Sequence, residues 1–338
     1  MQRTIAHIID DDSYGGIARE LDYLTKLALP SEYGGHRIIR VRRGSLKAST
    51  VFANEIISHV STCWANMPML IALRARHPNT PMIHFEHSYS ERFVAANVVH
   101  RNRFDALMRC SYSLFDTVVA VSEQQRDWML RRRFCSPQRL AVIEPCVDLK
   151  PFLAVQDRQP DGKVVIGAIG RFAPQKGFDI LIKGFRDINR SDMELHLYGS
   201  GPEERSLRAL AEACPNIVFK GYVSQPARAF AACDIVAMPS RYEPYGLVAI
   251  EAMAARRPVL CTRVDGLIGH IRAGAIDIGE NTAHSWTMAL NALDPAALGA
   301  FIVRGRAHAE GAESRFSAAW RNLLGQVDRA NSEIERAA

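Results

Sequence analysis

Short apolar runs alternate with helix-length segments twice over along this chain, and a break separates the two series. The first series is Thr4 to Asp10, Arg37 to Val41, Ile56 to Val60, Pro81 to Phe85 and Thr117 to Val121; the second is Val164 to Ile169, Glu194 to Tyr198, Ile217 to Phe219, Asp234 to Met238 and Pro258 to Cys261. Strands alternating with helices in this way predict parallel sheets covered on both faces. The break, KPFLAVQDRQPDG (residues 150–162), is rich in proline and polar residues and reads as a linker. A length of 338 residues accommodates two such domains. The expected organisation is a first α/β domain over 1–150, a second over 160–312, and a helical tail over 313–338 that packs back on the first. Doubly wound domains take ligands at the carboxyl ends of their strands, so the loops there are the ones to read for chemistry.

Charge and cysteine usage narrow the function classes. Residues 1–155 hold 20 Lys and Arg against 15 Asp and Glu, and the remainder 22 against 21, so the basic excess lies in the first half. Arg131, Arg132 and Arg133, with Arg101 and Arg103, suit an anionic membrane surface or a phosphorylated acceptor, and equally a solvated helix face. No nucleic-acid motif accompanies them, so no nucleic acid is expected. The seven cysteines are odd in number, scattered and never paired as C-x-x-C, which predicts free thiols. No apolar stretch reaches membrane-spanning length and the N-terminus lacks a signal-peptide pattern, so a cytoplasmic location is expected, with peripheral membrane contact through the arginines.

Two segments carry the chemistry. In SRYEPYGLVAIEAMAARRP (residues 240–258), Glu243 and Glu251 stand eight apart around a Pro, a Gly and a helix start. Backbone amides at Gly246, Leu247 and Val248 would be free helix N-terminal donors for a phosphate or a sugar hydroxyl, and Glu251, about two turns on, would accept from a diol. From spacing alone, a helix-capping Glu243 and a surface Glu251 fit equally well. The second segment follows the strand Val164 to Ile169: Gly170-Arg171-Phe172, then Lys176-Gly177 opening a helix. A planar guanidinium and a compact ammonium at one strand end suit the two phosphates of a diphosphate and the charge of a leaving group.

Together, GRFAPQKG (170–177) and EPYGLVAIE (243–251) resemble the hallmarks of retaining glycosyltransferases of the large GT4 family. Gly15-Gly16 after the first strand, EHS (86–88), VAVSE (119–123) and EPCVDLKPF (144–152) extend the resemblance over most of the chain. It implies a GT-B fold, two Rossmann-like domains facing across a cleft. It also implies that Arg171 and Lys176 hold a diphosphate, Glu251 the ribose and Glu243 the hydroxyls of the transferred sugar. Gly16 would face the donor phosphate from the first domain, His87 would lie near the reacting carbon, and Tyr222 and Val223 near the base. Two departures stand out: Pro145-Cys146 replaces Asn-Gly before the linker, and DGLIGHIRAGAIDIG (265–279) replaces a Gly-Gly and Pro-Glu stretch.

The resemblance implies transfer with retention from a UDP- or GDP-sugar to a glycan or lipid-linked acceptor, as in cell-surface polysaccharide or glycolipid synthesis, with no cofactor and no metal. Asp10, Asp11 and Asp12 contain a D-x-D pattern, read here as a solvated turn at a loop entrance. A sugar-nucleotide epimerase on the same fold and a non-catalytic nucleotide-sugar binder remain alternatives. A dinucleotide oxidoreductase does not fit, because Gly199-Ser200-Gly201 lacks the third glycine of G-x-G-x-x-G.

Overall fold

The run that opens the chain forms β1 (Thr4–Ile9), and it is buried on both faces as a central parallel strand should be. In the computed structural model, which describes residues 3–10, 15–27, 35–44, 51–158 and 162–337 (328–337 as backbone alone), β1 is followed by β2 (Gly35–Arg40), β3 (Glu55–Ser58), β4 (Met82–Glu86), β5 (Thr117–Ala120) and β6 (Leu140–Val142). The helices between them are α1 (Gly16–Lys26), α2 (Met67–Arg76), α3 (Glu91–Asn97), α4 (Arg101–Ser113) and α5 (Glu123–Arg131). All pairings are parallel, in the order β2-β1-β3-β4-β5-β6. Side chains alternate across this sheet. Ala6, Ile8, Ile56 and Met82 join Leu70 and Leu73 of α2 in one apolar cluster.

The second sheet repeats the plan with β7 (Val164–Ile169), β8 (Met193–Tyr198), β9 (Ile217–Gly221), β10 (Ile235–Met238), β11 (Val259–Cys261) and β12 (Ile276–Asp277), ordered β12-β11-β10-β7-β8-β9 and again parallel throughout. Its helices are α6 (Lys150–Leu153), α7 (Phe178–Arg186), α8 (Glu204–Ala211), α9 (Pro226–Ala231), α10 (Leu247–Ala254), α11 (Leu267–Ala273), α12 (Ala283–Asn291) and α13 (Gly299–Glu310). On α7 the buried residues Phe178, Leu181, Ile182 and Phe185 follow the i, i+3, i+4, i+7 spacing of one helical face. They join Ile166, Leu195 and Trp286 in the unit's main apolar cluster.

The chain divides into two compact units, Met1–Val147 with Glu313–Ala338, and Asp148–Ala312. The stretch read as a linker is therefore part of the second unit. Pro151 sits in the first turn of α6, where its missing N–H costs nothing, and Phe152 is buried edge-to-face on Phe230 at 5.3 Å. Arg158 ion-pairs with Asp234 at 2.9 Å and holds the segment farther along. The last helix, α14 (Ala312–Ala337), returns to the first unit from Glu313 on. Phe316, Trp320, Leu324 and Val327 are buried, and fully enclosed Trp320 stacks on Phe85 of β4 at 5.0 Å with 14° between the rings.

Each sheet has one point at which the chain reverses its direction of travel across the strands. In the second unit it lies between β7 and β10, and in the first between β1 and β3. Open α/β sheets bind ligands at the carboxyl ends of the strands that flank such a point.

Candidate active site

The β7 loop carries Arg171 and Lys176, and the β10 loop carries Glu243 and leads into α10, so the two sequence segments meet at the switch point of the second unit. Lys176 Nζ lies 2.5 Å from Glu243 Oε2, and Ser240 Oγ donates to the same oxygen at 3.1 Å. Asp265 receives the Glu243 amide at 3.2 Å, while the Glu243 carbonyl accepts from Gly266 at 2.9 Å. Glu243 is thus held from its side chain and from its backbone. It is buried, and it neutralises the cation beside it.

Two further contacts lock the loops together. Arg241 forks onto both oxygens of Asp179 at 2.8 Å and donates to the Pro174 carbonyl at 2.6 Å. Burial pulls the Asp179 carboxyl up, but the hydrogen bonds and charge of Arg241 outweigh it and hold the group below its usual range. At Gly177 the backbone takes φ +66°, and an added Cβ would lie 2.0 Å from the Pro239 carbonyl oxygen.

Arg171 has a different environment. It is exposed, and its guanidinium makes no hydrogen bond or ion pair among the described residues. Its loop is braced by the glycines after β8: Gly170 N donates to Tyr198 O at 2.9 Å and Phe172 N to Ser200 O at 2.8 Å. A Cβ at Gly199 would stand 1.9 Å from the Gly170 oxygen, so this glycine is there for close backbone approach. The Gly199-Ser200-Gly201 run, which fails as a dinucleotide fingerprint, is the support of the Arg171 loop.

Gly246 is the N-cap of α10, and the amides of Gly246, Leu247 and Val248 have no acceptor among the described residues. Glu251 is the fifth residue of α10, one turn from its start at Leu247 rather than two. It is buried at 1% exposure. Tyr222 and Val223 leave the end of β9, two strands from β7. Tyr222 is 71% exposed, and Val223 packs against Val165 and Tyr198.

In the first unit, Gly16 is the first residue of α1, and His87 follows β4 directly. The His87 ring faces inward: Nε2 lies 2.8 Å from His59 Nδ1, and Nδ1 lies 3.9 Å from the Glu20 carboxylate. In this arrangement the ring presents neither nitrogen outward. His84, its near neighbour in sequence, is fully buried beside Thr62, Tyr112 and Phe115.

Asp10 corrects the expectation of a solvated turn. Its side chain is buried and accepts from Ser61 N at 3.0 Å and Asn66 Nδ2 at 2.9 Å, tying the end of β1 to the loop after β3. Asp11 and Asp12 lie outside the described residues. Arg131 pairs with Glu91 at 2.7 Å and Arg132 with Asp105, so two of the five arginines expected to face an anionic surface are already neutralised by acidic partners. The sequence reading missed Ser240, Asp265, His59 and Glu20. Ser240 and Asp265 fall inside stretches already singled out, whereas His59 and Glu20 carry no local signal and reach their partners only through the fold.

Burial pushes the Glu20 carboxyl up to about 8 and the His87 imidazole down to about 4. Between the ordinary 4.5 and about 8, folded Glu20 keeps a proton that the unfolded chain has lost, so stability falls as pH rises through that window. The histidine acts in the opposite sense, and its contribution is lost as pH falls from 6.5 toward 4. The midpoint of urea unfolding should therefore be lower at about pH 9 than at about pH 6, and Glu20→Gln should abolish most of that difference. Equal midpoints for the parent protein at the two pH values would contradict the buried acid.

The family Glycosyltransferase Family 4 matches residues 10–151, and Glycosyl transferases group 1 matches residues 163–303. The mannosylfructose-phosphate synthase of Agrobacterium fabrum is 32% identical over 187 residues, 48% of this chain and 41% of that protein. The D-inositol 3-phosphate glycosyltransferase of Rhodococcus opacus is 28% identical over 224 residues, 58% of this chain and 49% of that one. The chain thus spans about half the length of the curated relatives it matches. Among solved structures, Anabaena HepE in complex with UDP and glucose superposes with a TM-score of 0.75 at 15% identity, covering 96% of this chain and all of that one. The sucrose-phosphate synthase of Thermosynechococcus elongatus gives 0.76 at 20% identity, covering 97% and 100%. With one family matching most of each half and the GT-B fold shared with these structures, the chain belongs to the GT4 glycosyltransferases, the glycosyl transferases of group 1.

Proposed function

We propose that this protein is a retaining glycosyltransferase that moves a sugar from a nucleoside diphosphate donor to a glycan or lipid-linked acceptor without a metal ion. The observation that carries the reading is the convergence, at one sheet switch point, of a Lys176–Glu243 pair with a guanidinium and three helix N-terminal amides that have no partner among the described residues. A diphosphate supplies what each lacks. It brings acceptor oxygens to the amides of Gly246, Leu247 and Val248 and negative charge to Arg171 and Lys176. A UDP-sugar is favoured over a GDP-sugar, because HepE binds UDP and UDP-glucose on the same fold.

In the proposed reaction, the bond from the anomeric carbon to the diphosphate oxygen breaks as the acceptor hydroxyl attacks from the same face. The acceptor's proton passes to the departing phosphate oxygen. Charge builds on the diphosphate and on an oxocarbenium-like sugar. Arg171, Lys176 and the α10 amides oppose the first charge from fixed positions. The Glu243 carboxylate accepts from sugar hydroxyls and shares Lys176 with the leaving group, while buried Glu251 accepts from the ribose.

The test is to incubate the protein with UDP-sugars and GDP-sugars in EDTA, with lipid-linked and glycan acceptor fractions, and follow nucleoside diphosphate release and the anomeric proton of the product. The expected result is acceptor-dependent release with the donor's anomeric configuration kept. An inverted product would overturn retention, loss of activity in EDTA would overturn metal independence, and donor binding without acceptor-dependent release would favour the non-catalytic reading.

A further inference from the structure

Four consecutive strands of the first sheet bring one histidine each to the same face. His36 lies on β2, His7 on β1, His59 one residue beyond β3 and His87 one residue beyond β4, and β2-β1-β3-β4 is the order of those strands in the sheet. The register pairs Ile5 with His36 and His7 with Ile57, so the row climbs from the start of the edge strand to the carboxyl edge of the sheet. Consecutive rings touch nitrogen to nitrogen: His36 Nδ1 to His7 Nε2 at 2.9 Å, His7 Nδ1 to His59 Nε2 at 3.0 Å, and His59 Nδ1 to His87 Nε2 at 2.8 Å. Beyond His87 Nδ1 stands the Glu20 carboxylate of α1 at 3.9 Å. His7, His59 and Glu20 are each 5% exposed or less.

Buried imidazoles packed side by side stay neutral, because an imidazolium here would be desolvated and repelled by its neighbours; burial and mutual repulsion push His7 down to about 3. A neutral ring has one N–H and one lone pair, and each nitrogen–nitrogen contact requires one of each. If His87 carries its proton on Nε2, His59 Nδ1 must accept, which puts the His59 proton on Nε2, and the same holds for His7 and His36. If His87 is protonated on Nδ1, all four are. The row has two states and no mixed one.

We propose that His36, His7, His59 and His87 form a single proton relay with two all-or-none tautomeric states, ending on Glu20. With Glu20 ionised, every ring is protonated on Nδ1, His87 Nδ1–H faces the carboxylate, and His36 Nε2 is a bare lone pair. A proton bound at His36 Nε2 sends the Nδ1 proton of each ring to the Nε2 of the next, and the last passes from His87 Nδ1 to Glu20. Four protons on four rings plus one incoming proton become four on the rings and one on Glu20. The 3.9 Å final gap is closed by rotation of the Glu20 side chain.

Glu20 holds a proton in the neutral range, as its upward shift requires, and a protonated Glu20 has His87 Nδ1 as the acceptor at hand. His36 Nε2 is buried and has no hydrogen-bond partner among the described residues, which makes His36 the terminal ring of the row. Other titratable or charged groups face the relay from the elements around it. His84 of β4 acts on His59 and His87 and Glu86 on His87, while Cys146 after β6 interacts with Glu20 and, in turn, with Glu313 and Arg315 of α14. Phe85, flanking His59 and His87, and Trp320, against His7, supply apolar walls that exclude water from the row.

The relay rests on the first unit alone and stands or falls separately from the transferase reading. Its test is the full chain labelled with 15N-histidine and 13C-glutamate, followed by ring-nitrogen and carboxyl NMR from about pH 6 to about pH 10. The expected result is a swap of the protonated and unprotonated nitrogen shifts in all four rings at one common midpoint, coincident with the Glu20 carboxyl. Glu20→Gln should remove the swap altogether. Rings that switch singly, that hold opposite tautomers at one pH, or that stay fixed while Glu20 titrates would each overturn the relay, and the unmutated protein alone suffices to reveal them.

Discussion

Glu243→Ala is expected to lower turnover about a thousandfold while leaving nucleoside diphosphate affinity unchanged or higher. The carboxylate lies at 2.5 Å from Lys176 and is held by Ser240 and, through its backbone, by Asp265 and Gly266. It therefore competes with an incoming diphosphate for the same ammonium. Removing it frees Lys176 for the phosphates and deletes the acceptor for sugar hydroxyls, so binding of UDP or GDP and the chemical step should move apart. Calorimetry with the free diphosphate and a turnover assay, on the same preparation, separate the two. A parallel collapse of both would mean that Glu243 acts by holding the loop together.

The second large effect is Gly177→Ala. The position combines a left-handed φ of +66° with a Cβ site 2.0 Å from the Pro239 oxygen and 3.1 Å from its carbonyl carbon, so strain and collision act together. Strain at such a φ costs about 1 kcal/mol or more and overpacking about 1–3 kcal/mol, which together should lower Tm by roughly 5–10 °C. The collision also pushes the Lys176 and Glu243 loops apart, so donor affinity should fall at least tenfold even where the variant is folded. Near-parental melting with unchanged binding would show that the loops are held by Arg241 and Asp179 alone.

How much of this was legible in the sequence depends on where each signal resides. The long central strands could be read because they are buried on both faces and form continuous apolar runs, as in VVIGAI and TIAHII. The edge strands β6 and β12, of three and two residues and only partly buried, were not read: the run at β6 is only LAVI (140–143), and Asp277 interrupts the one at β12. KPFL looked like a linker because Pro and Lys dominate it; yet Pro at the first turn also starts a helix, and the choice was made by Phe152 finding Phe230.

At the candidate site, Arg171, Lys176, Glu243 and the α10 amides could be picked out because each lies just past a readable strand. What the sequence did not carry was their mutual contact, since Lys176 and Glu243 are 67 residues apart and meet only because β7 and β10 are neighbours. The histidine row was illegible for the same reason. The members are far apart in the chain, and only the sheet order and register bring the four side by side.

The central claim is that Arg171, Lys176 and the N-terminus of α10 form a metal-independent diphosphate site. The most direct measurement is calorimetric titration of UDP and GDP into the parent protein and Lys176→Ala, both in EDTA. The expected result is binding of one nucleotide by the parent protein and a loss of at least tenfold in the variant, equivalent to about 1.4 kcal/mol or more. Binding that required a divalent ion, or that was the same in Lys176→Ala as in the parent protein, would contradict it.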